Sequence, residues 1–73
     1  MASVDVSAEI TGTVFKIEMK VGDEVSEGDT IMILESMKME FYVEAPEEGT
    51  LKEIKVGEGD SVKEGDVVAV IDP

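Results

Sequence analysis

Apolar and polar residues alternate along most of this chain, in short stretches set apart by Gly, Pro and Asp. A period of two is the mark of strands buried on one face. Ser3 to Ser7 alternates, with Val4 and Val6 inward. Gly12 opens a second stretch in which Phe15, Ile17, Met19 and Val21 fall on one face and Lys16, Glu18 and Lys20 on the other. Gly22-Asp23 and Gly28-Asp29 are predicted turns around a very short segment at Val25. Thr30 to Ser36 and Met39 to Glu44 are predicted strands, and Pro46 to Gly49 is a predicted loop. Leu51, Ile54, Val56 and Val62 then repeat the scheme before a last strand from Val67 to Ile71. No helix is predicted, since Pro46 and Gly49 break the one stretch with helical composition. About eight short antiparallel strands predict an all-β fold, a flattened barrel or a sandwich of two small sheets.

The run from Ile31 to Ala45 contains no Gly, Pro, Asn or Asp. Fully extended it would span ~50 Å, far more than a compact chain of this size allows, with its radius of gyration of ~11 Å. It must fold back, and its polar centre, Glu35-Ser36-Met37-Lys38-Met39-Glu40, is where it does so. Lys38 is therefore expected at or beside a hairpin tip. Tight hairpins favour Asn-Gly or Asp-Gly, because both central residues need positive φ. Met-Lys gains nothing there from the backbone, which implies that its side chains were selected.

Laid over itself with a shift of 37, the chain aligns without gaps. Gly12-Thr13 meets Gly49-Thr50, and the segment Gly22 to Asp29 meets Gly59 to Asp66. Ile31 to Leu34 coincides with Val68 to Ile71, Val6 with Val43, and Ala8 with Ala45. Two copies are too few for a solenoid. They predict one domain, residues 1–73, with related halves 1–36 and 38–73 joined at Met37 and near two-fold symmetry. Residues 1 and 73 should then meet at the pole opposite Lys38.

Composition narrows the chemistry. The 73 residues contain no Cys and no His, which removes disulfides, zinc sites and catalysis based on either residue. Eighteen acidic residues against 6 basic ones give a net charge of −12. Phosphate backbones are repelled, so nucleic acid is not an expected partner. The acidity serves solubility, and it can also steer the chain toward a basic surface. No apolar stretch approaches the ~20 residues of a membrane span, and no signal-peptide pattern is present. A soluble, cytoplasmic monomer is expected. Gly57-Glu58-Gly59 lacks the strand-to-helix context of a nucleotide loop, and the Gly-Asp pairs lack calcium-loop spacing. No catalytic constellation is present, so a non-catalytic role is expected.

Glu35-Ser36-Met37-Lys38-Met39 resembles the acceptor motif of biotinyl (biotin carboxyl carrier) domains, usually Glu-Ala-Met-Lys-Met, with Ser36 in place of Ala. Gly12-Thr13-Val14, Gly49-Thr50-Leu51 and the two Gly-Asp-x-Val-x-Glu-Gly-Asp segments extend the likeness over nearly the whole chain. The likeness implies the flattened all-β fold of biotin/lipoyl attachment domains, with the acceptor lysine on a hairpin tip. It also implies covalent biotin on Lys38, attached by a biotin protein ligase. A biotin carboxylase then uses ATP and bicarbonate to carboxylate the ureido ring, and a carboxyltransferase passes the group on, for example to an acyl-CoA. The spacing from Gly12 to Lys38 leaves no room for the extra thumb loop of some bacterial carriers.

Met37 and Met39 separate this pattern from lipoyl acceptors, whose lysine usually follows Asp and precedes Ala. They are expected to fit a pocket of the ligase or another partner. Glu35 and Glu40 serve either recognition or simple solvation. The second reading is a lipoyl carrier, or one accepting both biotin and lipoate as some small relatives do. The third is an unmodified interaction domain, whose intact mass would show no added group.

Overall fold

The computed structural model describes residues 2–73. They form eight strands: β1 (Val4–Ser7), β2 (Gly12–Ile17), β3 (Glu24–Val25), β4 (Thr30–Ser36), β5 (Met39–Glu44), β6 (Gly49–Ile54), β7 (Ser61–Val62) and β8 (Val67–Asp72). Two four-stranded antiparallel sheets result, ordered β1-β8-β6-β3 and β5-β4-β2-β7. The predicted all-β fold without a helix is what the chain adopts among the described residues. The radius of gyration is 11.2 Å and the principal extents are 36 × 19 × 18 Å, so the described residues form an elongated body.

A shift of 37 carries β1, β2, β3 and β4 onto β5, β6, β7 and β8, and thus one sheet onto the other. The core is shared in the same way. Val14, Ile31 and Leu34 from the first half and Leu51, Val68 and Ile71 from the second are all almost wholly buried. Burial of each such side chain contributes on the order of 1.5–3 kcal/mol.

The halves also interlock. The Gly22 N–H donates to the Leu51 carbonyl and the Gly59 N–H to the Val14 carbonyl, both at 2.8 Å. Turns of one half are thereby strapped onto strands of the other. Asp closes each of these turns. The Asp23 N–H donates to the Lys20 carbonyl at 3.0 Å, while Asp23 Oδ2 accepts from the Lys20 N–H at 3.0 Å. Asp60 does the same with Gly57, and Asp29 and Asp66 close the remaining two turns alike. Gly22 and Gly59 sit at φ 100° and 92°, the left-handed third position that this type of turn demands. The repeated Gly-Asp pairs are thus turn chemistry. Val25 and Val62, on the short strands between paired turns, are both buried.

One predicted face is wrong. Val14, not Phe15, points into the core, and Phe15 is 53% exposed. The ladder to β4 slips between Val14 and Lys16, a β-bulge that inserts one residue and inverts the alternation after it. Ile17 and Met19 still pack against the core. Val21 is exposed because it lies in the turn closed by Asp23 rather than in a strand. An equivalent slip falls between Leu51 and Glu53, and a further pair lets the consecutive residues Ile31 and Met32, and Val68 and Ala69, be buried together.

Val4 pairs with Ile71, so the described chain enters and leaves through neighbouring strands of one sheet. The expected meeting of residues 1 and 73 involves Met1, which lies outside the described residues. The β4–β5 hairpin belongs to the other sheet.

A hairpin tip as candidate functional site

The pairing of β4 with β5 runs from Thr30↔Glu44 to Ser36↔Met39, leaving Met37 and Lys38 as a two-residue connection. Both stand in the left-handed region, at φ 54° and 64°. That is the backbone of a type I′ turn, the form whose twist matches the flanking strands. It places Lys38 at the apex, where its position was expected. Neither residue suits the conformation, because a side chain there crowds the carbonyl that follows, at roughly 1–2 kcal/mol each.

The tip can hold that strain because the base beneath it is rigid. Leu34 is buried between its partners Val14 on β2 and Phe41 on β5. Gly12 lies so close to the end of β4 that an added Cβ would stand 2.5 Å from the Glu35 carbonyl oxygen and 3.3 Å from Ser36 Cβ. Only a residue without a side chain lets β2 approach there. Its equivalent Gly49 meets Asp72 and Pro73 in the same manner. The role of Gly12 in seating the hairpin is not apparent from local sequence. The only signal for it is the alignment of Gly12 with Gly49.

The motif residues divide by face. Met37 is 90% exposed and Met39 59%, and Lys38 is exposed between them. Ser36 is half-buried opposite Met39. Glu35 and Glu40 face each other across the strands, both exposed, on the outer side of the sheet. Like charges opposite one another gain nothing for the ladder. Among the described residues, Lys38 Nζ has neither an ion pair nor a hydrogen bond. The amine is left free at the end of a flexible stem, above two carboxylates. Such a convex site cannot enclose a ligand. It can be enclosed, by the active site of another protein, and its one reactive group can accept an acyl chain.

Comparison with known proteins places the geometry. The family model described as "Biotin-requiring enzyme", for biotin and lipoyl attachment, matches residues 1–71. The chain is 51% identical over 39 residues to a biotinylated protein TB7.3 homolog of Mycolicibacterium smegmatis, covering 53% of this chain and 55% of that one. It is 44% identical over 41 residues to the mitochondrial methylcrotonoyl-CoA carboxylase subunit alpha of Mus musculus, covering 56% of this chain and 6% of that one. The match thus spans about half the first relative and a small part of the second. Among solved structures, the urea carboxylase of Kluyveromyces lactis superposes with a TM-score of 0.92 at 39% identity, over 97% of this chain and 6% of that one. The chain belongs to the biotin/lipoyl attachment family of biotin-requiring enzymes.

Proposed function

We propose that this chain is a carrier domain of a biotin-dependent carboxylase system, with biotin joined to Lys38 Nζ through an amide. The observation that carries the reading is the tip itself. A primary amine without an ion pair among the described residues stands at the apex of a turn whose two central residues fit it poorly, between two exposed methionines. Exposed methionine offers a pliant apolar surface to a partner pocket.

The group fits the residues present. An amide requires only a protruding amine and clear space around it, and Lys38 offers both. A biotin protein ligase supplies biotin's carboxyl as an activated acyl ester. The Lys38 Nζ–C bond forms as the ester's C–O bond breaks, the activating group leaves with that electron pair, and the ammonium loses two protons. Loss of the ammonium charge takes the net charge from −12 to −13. When bound, biotin supplies a ureido ring able to carry a carboxyl group between a biotin carboxylase and a carboxyltransferase.

The chain's own contribution is mechanical. The paired strands fix where the stem of Lys38 begins, and the flexible stem extends its reach. Tethering raises the effective concentration of the carried group at both partner sites. Nothing in the domain needs to perform chemistry for this.

Lys38→Arg, coexpressed with a biotin protein ligase, tests the assignment by intact mass and streptavidin blotting. The wild type should gain one biotin, and the variant none while keeping its fold. Biotin on the variant, or none on the wild type, would refute it.

A further inference from the structure

Because the two sheets are built from equivalent strands, their outer faces can be compared position by position. On β6, β8 and β1, Lys52 and Glu53 oppose Val70, which in turn opposes Asp5. On β2, β4 and β5 the same positions hold Phe15 and Lys16, then Ile33, then Tyr42. Phe15 and Tyr42 are 53% and 58% exposed. The fold accepts Lys and Asp at these places in one sheet, so it does not require aromatic rings in the other. Exposed aromatic rows are costly to leave in water and are enriched at interfaces. This row lies on the sheet that carries Lys38, Tyr42 being four residues and roughly 13 Å along the strand from it.

We propose that Phe15, Ile33 and Tyr42 form a docking surface for the ligase that acylates Lys38, whose matching surface is an apolar recess edged with Lys or Arg. The proposal rests on Lys38 being the biotin acceptor. Charge argues for the basic edge: Glu35, Glu40 and Glu44 are exposed along the same hairpin, on a chain of net charge −12. The same charges oppose a second copy of this chain as the occupant. The state of the substrate argues for the ligase. Enzymes acting on the finished arm can grip biotin, whereas the ligase meets a bare amine and must recognise protein. A tip of three exposed residues is far smaller than the ~800 Å² that a partner in a specific complex commonly buries. The outer face of the same hairpin extends that tip without a break.

The test exchanges the row for its counterpart. Phe15→Lys with Tyr42→Asp installs what positions 52 and 5 carry and leaves the net charge at −12. Initial rates of biotin attachment by a purified biotin protein ligase are measured against concentration of the apo domain. KM should rise about tenfold while kcat stays within twofold. Asp5→Asn with Lys52→Gln, the control on the other sheet, should leave KM within twofold. Should the double exchange fail to fold, Tyr42→Ser alone gives the same reading. Efficient biotin attachment with an unmoved KM in the exchanged protein overturns the docking surface and leaves the carrier reading standing. A control that raises KM equally also overturns it. Wild type that accepts no biotin overturns both. Self-association of the wild type that the exchange abolishes assigns the face to a second copy and overturns the ligase as its occupant.

Discussion

Replacing Met37-Lys38 with Asn-Gly should make the domain more stable while removing its acceptor. Both residues hold positive φ, 54° and 64°. Each bears a Cβ that the left-handed region penalises by roughly 1–2 kcal/mol, and Asn and Gly are the residues that type I′ turns favour. Little packing is lost in exchange, since Met37 is 90% exposed and Lys38 makes no ion pair among the described residues. Gly takes back ~0.5–1 kcal/mol through its greater freedom in the unfolded chain. Asn keeps a Cβ and relieves only part of its position's penalty, so a net gain of about 1–2 kcal/mol remains. For a domain of this size, 1 kcal/mol moves Tm by ~4–8 °C, so the midpoint should rise by roughly 4–16 °C. Thermal and urea unfolding measure it, with an unchanged urea m-value showing that the same surface is exposed. An equal or lower midpoint would mean that the turn stores no strain. The inference that its side chains were placed at the expense of the backbone would then fail.

Changing Met37 to Asp and Met39 to Ala should slow biotin attachment and leave stability within ~0.5 kcal/mol, as is usual for exposed positions; equal attachment rates would show that the methionines do not select the modification. Val25→Ala and Val62→Ala should each cost roughly 1–3 kcal/mol, because both side chains are buried where a short strand joins the other half. Denaturant midpoints that stay put would count against the interlocked arrangement.

Strands β4 and β5 were legible to the residue. Their alternation is uninterrupted near the tip, and the length of the run forces a reversal there. The turn was legible for a different reason, as residues unsuited to a place that chain geometry made unavoidable. What alternation could not reveal was the slip at Phe15. A bulge changes which face each later residue occupies without changing composition, and Val14-Phe15-Lys16-Ile17 reads equally well in either parity. The repeat held the missing information. Leu51-Lys52-Glu53-Ile54 occupies the same positions, and there Leu51 and Ile54 can only be inward while Lys52 and Glu53 face solvent. Carried across the shift of 37, the outward Lys52 turns its counterpart Phe15 outward too. Gly12 was hidden for a related reason: close approach of two backbones is a tertiary fact, and a glycine at a strand end reads simply as a boundary.

The duplicated architecture therefore separates two kinds of constraint. Where both halves carry the same residue at equivalent places, the shared fold accounts for it: Gly12 and Gly49 at the close approaches, Asp23 and Asp60 in the turns, Val25 and Val62 in the core. Where the halves differ although the backbone is equivalent, the fold is indifferent and another cause must act. Phe15 against Lys52 and Tyr42 against Asp5 are such differences, and they fall on the sheet that ends in Lys38. Met37 has no partner at all, since it is the joint between the halves. Among the described residues it is also the most exposed of the large apolar side chains, and it stands in a conformation that does not suit it. Neither packing nor backbone preference explains methionine at that position. Contact with another protein can, because a partner pocket would bury the side chain that water now surrounds.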